Sequence, residues 1–147
     1  TRECSVHPAA VLIDIDPADT SLDLTPPLTG NAELGASLAA LRAEGVVIGW
    51  TSNKTADQAG AIRKALQASG LDPAGRDDLV LLRFPEERKQ TRRADFAKAH
   101  CVVAIAGDAR TDFDELFEYL RDPAIAAPLE SLVGAGWFIV PAPLTPN

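Results

Sequence analysis

The 147 residues are the length of one ordinary domain, and an apolar share of 46% can support a packed core. A net charge of −7 argues against a phosphate-backbone binder. The one basic cluster, RKQTRR (residues 88–93), sits in an acidic chain and contains no aromatic residue, so no nucleic-acid binding is expected. No apolar run approaches the roughly 20 residues of a membrane span, and no signal-peptide pattern opens the chain. The chain starts at Thr1 and has no Met, so it reads as a processed or trimmed form.

Apolar runs alternate with helical patterns. AVLIDI (residues 10–15) predicts a buried strand. DLTPPLTGN (residues 23–31) reads as a loop inside the domain. In residues 31–45, Leu34, Leu38 and Leu41 keep helical spacing, with Gly45 as the stop. VVIGW (residues 46–50) predicts a second strand. Residues 55–70 predict a helix with Thr55 as N-cap and Gly70 as stop. A third strand is predicted over residues 79–84, a third helix over 86–100 and a fourth strand over 101–107. A helix starting at residues 111–120 and a strand over 136–140 complete the series. The strands are continuously apolar, which is the signature of a parallel sheet covered on both faces. The expectation is therefore an α/β, three-layer sandwich with a mainly parallel, doubly wound sheet, in a single domain over residues 1–147.

In such folds ligands bind beyond the carboxyl ends of the strands. The residues that follow each predicted strand are then the candidates. The first strand gives Asp14 and Asp16, the second gives Thr51, Ser52 and Asn53, and the third leads to Lys89. The fourth leads to Asp108, Asp112 and Asp114. Carboxylates gathered at one edge repel each other unless a cation sits among them. An all-oxygen ligand set suits Mg²⁺ together with phosphate oxygens, and a hydroxyl and an ammonium can hold those oxygens. These residue types fit phosphoryl transfer. His7 and His100 have no evident partner and read as surface residues. Cys101 opens an apolar run and reads as a small buried hydrophobe, although pairing with Cys4 stays open.

The stretches DID, TSN, RKQTRR and GDARTDFDE occur in the order found in the haloacid dehalogenase superfamily of phosphohydrolases, which this sequence resembles. It is more specifically similar to the class C, lipoprotein-e-like, secreted acid phosphatases. IGWTSNK resembles their strand ending in Ser/Thr-Asn-Arg, and KQTRR their Lys-x-x-Arg helix. GDARTDF resembles their Gly-Asp-x-x-x-Asp-Phe strand end, and GWFIVPAPL their closing strand. The similarity runs over residues 10–144.

The resemblance implies a Mg²⁺-dependent phosphomonoester hydrolase. In it Asp14 is the nucleophile that forms an aspartyl-phosphate and Asp16 the general acid/base. Ser52 binds the transferring phosphoryl group with Asn53 beside it, and Lys89 stabilises Asp14 and the phosphate charge. Asp108 completes the metal site with the Asp14 carboxylate and the Asp16 backbone carbonyl, and Asp112 supports it. A periplasmic or secreted location, otherwise cytoplasmic, and a small phosphorylated substrate are implied too. The sequence departs from the family pattern at Pro17 and Ala18, where the turn after the second aspartate is built, and Thr20 is a candidate for the missing hydroxyl. Lys54 stands where the relatives tend to have Arg. The short segment after Asp16 leaves room for a minimal cap only. A non-catalytic metal- or phosphate-binding module and a receiver-type signalling domain are the alternatives. A receiver would need an Asp after the third strand, and LVLLRFPEE has none there.

Overall fold

The computed structural model describes residues 6–17, 22–107, 137–139 and 142–146. Strand β1 (Ala9–Asp14) is the centre of a five-stranded sheet. The others are β3 (Val47–Thr55), β4 (Asp78–Leu82), β5 (Cys101–Gly107) and β6 (Trp137–Ile139), in the order β4-β3-β1-β5-β6. Every pairing in this sheet is parallel. From β1 the chain winds outward through β3 to β4, then returns to the other side of β1 as β5. The topological switch point therefore lies at the carboxyl end of β1, flanked by β3 and β5, where such sheets bind ligands.

The pleat sorts β1 into two faces. Val11 and Ile13, with Ile15 beyond the strand, enter the larger core, with Ile48 and Trp50 of β3. There they meet Leu38 of α1 (Ala32–Ala43) and Ile62 and Leu66 of α2 (Ala59–Ala68). Ala10 and Leu12 face the other way, onto Val80 and onto Phe96 of α3 (Lys89–Ala99). Helices thus cover both faces, giving the expected three layers. Trp50, fully buried, donates its indole N–H to Asp77 Oδ2 at 3.0 Å. Arg42 also grips Asp77, with its Nε 2.9 Å from Oδ1. This satisfies a buried carboxylate that would otherwise be costly.

The helix boundaries have local causes. Asn31 caps α1 by accepting from the Leu34 N–H at 3.0 Å. Gly45 and Gly70 follow α1 and α2 at φ +85° and +82°, as expected for helix stops. Thr55 is not the side-chain cap expected of it, since its hydroxyl donates to Asp57 and a 3₁₀ turn, Ala56–Gln58, comes before α2. The predicted loop at 23–31 contains β2 (Leu28–Gly30), which pairs antiparallel with β7 (Leu144–Pro146). These strands are three residues long, too short to carry a periodic signal. The fourth predicted helix, over 111–120, lies outside the described residues. Between Pro17 and β3 the described segments are β2, α1 and their connections.

Two expectations about individual residues are corrected. Cys101 is buried, but it is disulfide-bonded rather than a free hydrophobe. The chain's other cysteine, Cys4, lies outside the described residues. His7 is exposed, but His100 is partly buried. It stacks on Phe96 with ring centroids 3.9 Å apart.

Gly49 sets how closely α3 approaches the sheet. A Cβ there would lie 2.9 Å from Leu12 Cδ2 and 3.0 Å from two Phe96 ring carbons. Both neighbours are buried, and β3 is hydrogen-bonded on both sides, so little can yield. Gly49→Ala is expected to cost about 1–3 kcal/mol through overpacking. Thermal denaturation should show a Tm lower by roughly 3–10 °C.

Candidate active site

The pleat that sends Ala10 and Leu12 toward α3 continues through Asp14 and Asp16. Two carboxylates one residue apart therefore share the α3 side of the sheet, at its carboxyl end. They are 3% and 4% exposed, so water does little to solvate them. The Asp16 N–H donates to Asp14 Oδ1 at 2.8 Å, fixing the first carboxylate against its own backbone. The Ile15 N–H donates to the Thr51 carbonyl at 3.0 Å, which extends the tie between β1 and β3 beyond the last paired residues.

Strand β3 supplies the groups that fix Asp16. Ser52, fully buried, donates its hydroxyl to Asp16 Oδ1 at 2.7 Å. The Asn53 backbone N–H donates to Asp16 Oδ2, also at 2.7 Å, while the Asn53 side chain lies exposed. Ser52 Oγ in turn accepts the Lys54 N–H at 3.0 Å.

Helix α3 brings the cation. Lys89, its first residue, donates to Asp14 Oδ2 at 2.5 Å and stands 3.1 Å from Asp16 Oδ2. Its basic neighbour Arg92 is occupied elsewhere, donating to the Leu81 carbonyl at 2.8 Å and to Asp95 at 2.9 Å. Burial pushes the Lys89 ammonium toward its neutral form. The charges and hydrogen bonds of Asp14 and Asp16 outweigh that, and its pKa lies above the ordinary lysine value.

Of the residues expected at the site, Asp14, Asp16, Ser52, Asn53 and Lys89 meet here. Asp108 and Asp112 lie outside the described residues, although β5, the strand paired with β1, ends at Gly107, one residue before Asp108. No group of three His, Cys, Asp or Glu side chains gathers among the described residues. The donor set among the described residues nonetheless fits a hard cation, because it is all oxygen and carries two carboxylates against one ammonium. The backbone N–H of Asn53 was not legible as a site group. It acts through the main chain, where residue type gives no signal.

A parallel sheet with β1 central, helices on both faces and a site at its switch point make a doubly wound α/β fold. Among solved structures it is the fold of the class C acid phosphatases. The class C acid phosphatase from Bacillus anthracis with tungstate bound matches with a TM-score of 0.66 and 19% identity, over 93% of this chain and 68% of that one. A second structure of the Bacillus anthracis enzyme matches with a TM-score of 0.65 and 18% identity, over 95% of this chain and 68% of that one. No family model matches the sequence, and no curated protein does.

Lys89 holds two buried carboxylates, so its loss should be costly. Lys89→Met is expected to destabilise the protein by on the order of 3 kcal/mol in EDTA at neutral pH. Adding Asp16→Asn should recover part of that. Because the folded-state pKa of Lys89 is raised, its contribution is complete below the unfolded lysine value of about 10.4 and is lost as pH climbs through the folded value. Urea denaturation should therefore give a constant gap between wild type and Lys89→Met from about pH 6 to 9, closing in strongly alkaline solution.

Proposed function

We propose that this protein is a phosphatase, a metal-assisted hydrolase of small phosphomonoesters. The observation that carries the reading is the trio Asp14, Asp16 and Lys89, gathered at the carboxyl end of the central strand of a phosphatase fold. Asp14 attacks phosphorus through a carboxylate oxygen, and the bond from phosphorus to the leaving oxygen breaks. Asp16 gives that oxygen its proton. A water then attacks the aspartyl-phosphate and passes a proton to Asp16, and the bond from phosphorus to Asp14 breaks to release phosphate. Lys89 lowers the cost of bringing phosphate charge against Asp14.

Ser52 and Asn53 keep Asp16 in one orientation, and their segment borders the place where the phosphoryl group enters. Asp14, the Asp16 carbonyl and Asp108, with Asp112 in support, would hold Mg²⁺. When bound, that ion offsets charge on the phosphate and on Asp14. The minimal cap leaves the site open to a range of small phosphates. The disulfide at Cys101 favours an oxidising compartment, periplasmic or extracellular.

The test is p-nitrophenyl phosphate hydrolysis from about pH 5 to 8, with Mg²⁺ and with EDTA. Turnover is expected with Mg²⁺ and to fall to background in EDTA. Asp14→Asn should give no turnover above background, and Asp16→Asn should lose about 10²–10⁴-fold in kcat. Full activity in Asp14→Asn would sink the mechanism. No turnover in wild type, with Mg²⁺ still raising Tm, would leave a binding site without chemistry.

A further inference from the structure

Helix α3 starts where a helix has little reason to start. Its N-cap residue, Arg88, makes no side-chain cap hydrogen bond, and the first turn has no acidic residue. Lys89 stands in the first position and Arg92 in the fourth, so cations face the positive end of the helix dipole. Local propensity would let this end fray or shift. Yet Lys89 must be held to within a fraction of an ångström if it is to serve Asp14.

Glu87 supplies what the helix lacks. Its side chain is 2% exposed although it lies next to solvent-facing Arg83. One oxygen, Oε1, accepts the Arg83 backbone N–H at 2.8 Å. The other, Oε2, accepts Arg83 Nε at 2.8 Å and also Arg83 Nη2. The Glu87 N–H closes the turn onto the Phe84 carbonyl at 3.1 Å. The connection from β4 to α3 is thus locked by one carboxylate, which also places negative charge just ahead of the helix. Arg92 fastens the same helix to β4 through the Leu81 carbonyl, and its Nε lies 3.9 Å from Glu87 Oε1.

We propose that Glu87 is a positioning residue for Lys89: the Arg83–Glu87 clamp fixes the start of α3 and so holds the Lys89 ammonium between Asp14 and Asp16. The effect on turnover rests on the phosphatase reading above, while the effect on Lys89 itself does not.

Two readouts separate these. The first is a double-mutant cycle on p-nitrophenyl phosphate hydrolysis by the full chain. Glu87→Ala is expected to lower kcat by about tenfold to a hundredfold with KM little changed. In a Lys89→Ala background it should change kcat by less than about twofold, because the group it positions is gone. The same loss in both backgrounds would mean a merely structural role and overturn the proposal.

The second readout is brief acylation of lysine amines followed by peptide mass spectrometry, which needs no turnover. Lys89 should be protected in wild type and label severalfold faster in Glu87→Ala. If Lys89→Ala turns over too slowly to measure, or wild type does not turn over at all, labelling decides. Unchanged protection of Lys89 overturns the proposal. Should Glu87→Ala fail to fold, Glu87→Gln keeps an acceptor for the Arg83 N–H but loses the charge. It should move kcat and labelling in the same direction by a smaller factor, and no movement in either is the contrary result.

Discussion

Asp14 and Asp16 are nearly out of water and share one ammonium, that of Lys89. Two buried carboxylates this close are tolerable only with a cation between them. Much of the structure follows from where that cation must arrive. It comes from α3, so both carboxylates must sit on the α3 face of β1, and a two-residue spacing is the one that puts them there. Phe96 must let α3 lie close to the sheet, which requires a residue without Cβ at position 49. The strap from β4 must then end at a fixed place, and the Glu87 carboxylate fixes it. These features lie far apart in sequence, yet each is a condition on the same two distances from Lys89 Nζ.

A second carboxylate cluster shows the contrast. Asp72 and Asp77 are as buried as the site pair. Each has its own guanidinium, with Arg63 on Asp72 and Arg42 on Asp77, and Asp77 also receives the Trp50 indole. Donors there match or outnumber the acceptors, and the network does structural work on the loop between α2 and β4. At the candidate site, among the described residues, one ammonium serves two carboxylates. That difference in charge balance among the described residues is what sets the pair at the carboxyl end of β1 apart from the structural cluster, and it is the feature the proposed function uses.

Much of this was legible in the sequence because it depends on periodicity. Continuous apolar runs separated by helical patterns pointed to a parallel sheet, and strand ends then pointed to the candidate site. Asp14, Asp16, Ser52 and Lys89, which the structure brings together, were legible as candidates because each follows a recognisable run and each is of a type that phosphoryl chemistry uses. The strand over 101–107 was bounded as observed. What escaped notice has no period and no distinctive residue type. Strands β2 and β7 are too short and pair across more than a hundred residues. The Asn53 contact is made by a backbone N–H. The stacking of His100 on Phe96 puts two residues four apart on one helix end, a spacing that reads equally as solvent-facing.

The choice of Lys89 over Arg88, Arg92 and Arg93 marks the boundary between the two kinds of information. Four basic residues in six positions offer no compositional reason to prefer one. The decision is made by the residue at which the helix begins, since a shift of one position would turn the next side chain by about 100° and carry Lys89 away from β1. That starting residue is not encoded by a cap, because Arg88 provides none. It is encoded by the Glu87 carboxylate and its hold on Arg83, a polar contact four residues long that no apolar pattern reports. A helix start held by a side-chain clamp in the preceding loop in place of a cap can tolerate cations in its first turn. That freedom puts a lysine, rather than a good helix starter, at the one position from which it reaches both aspartates.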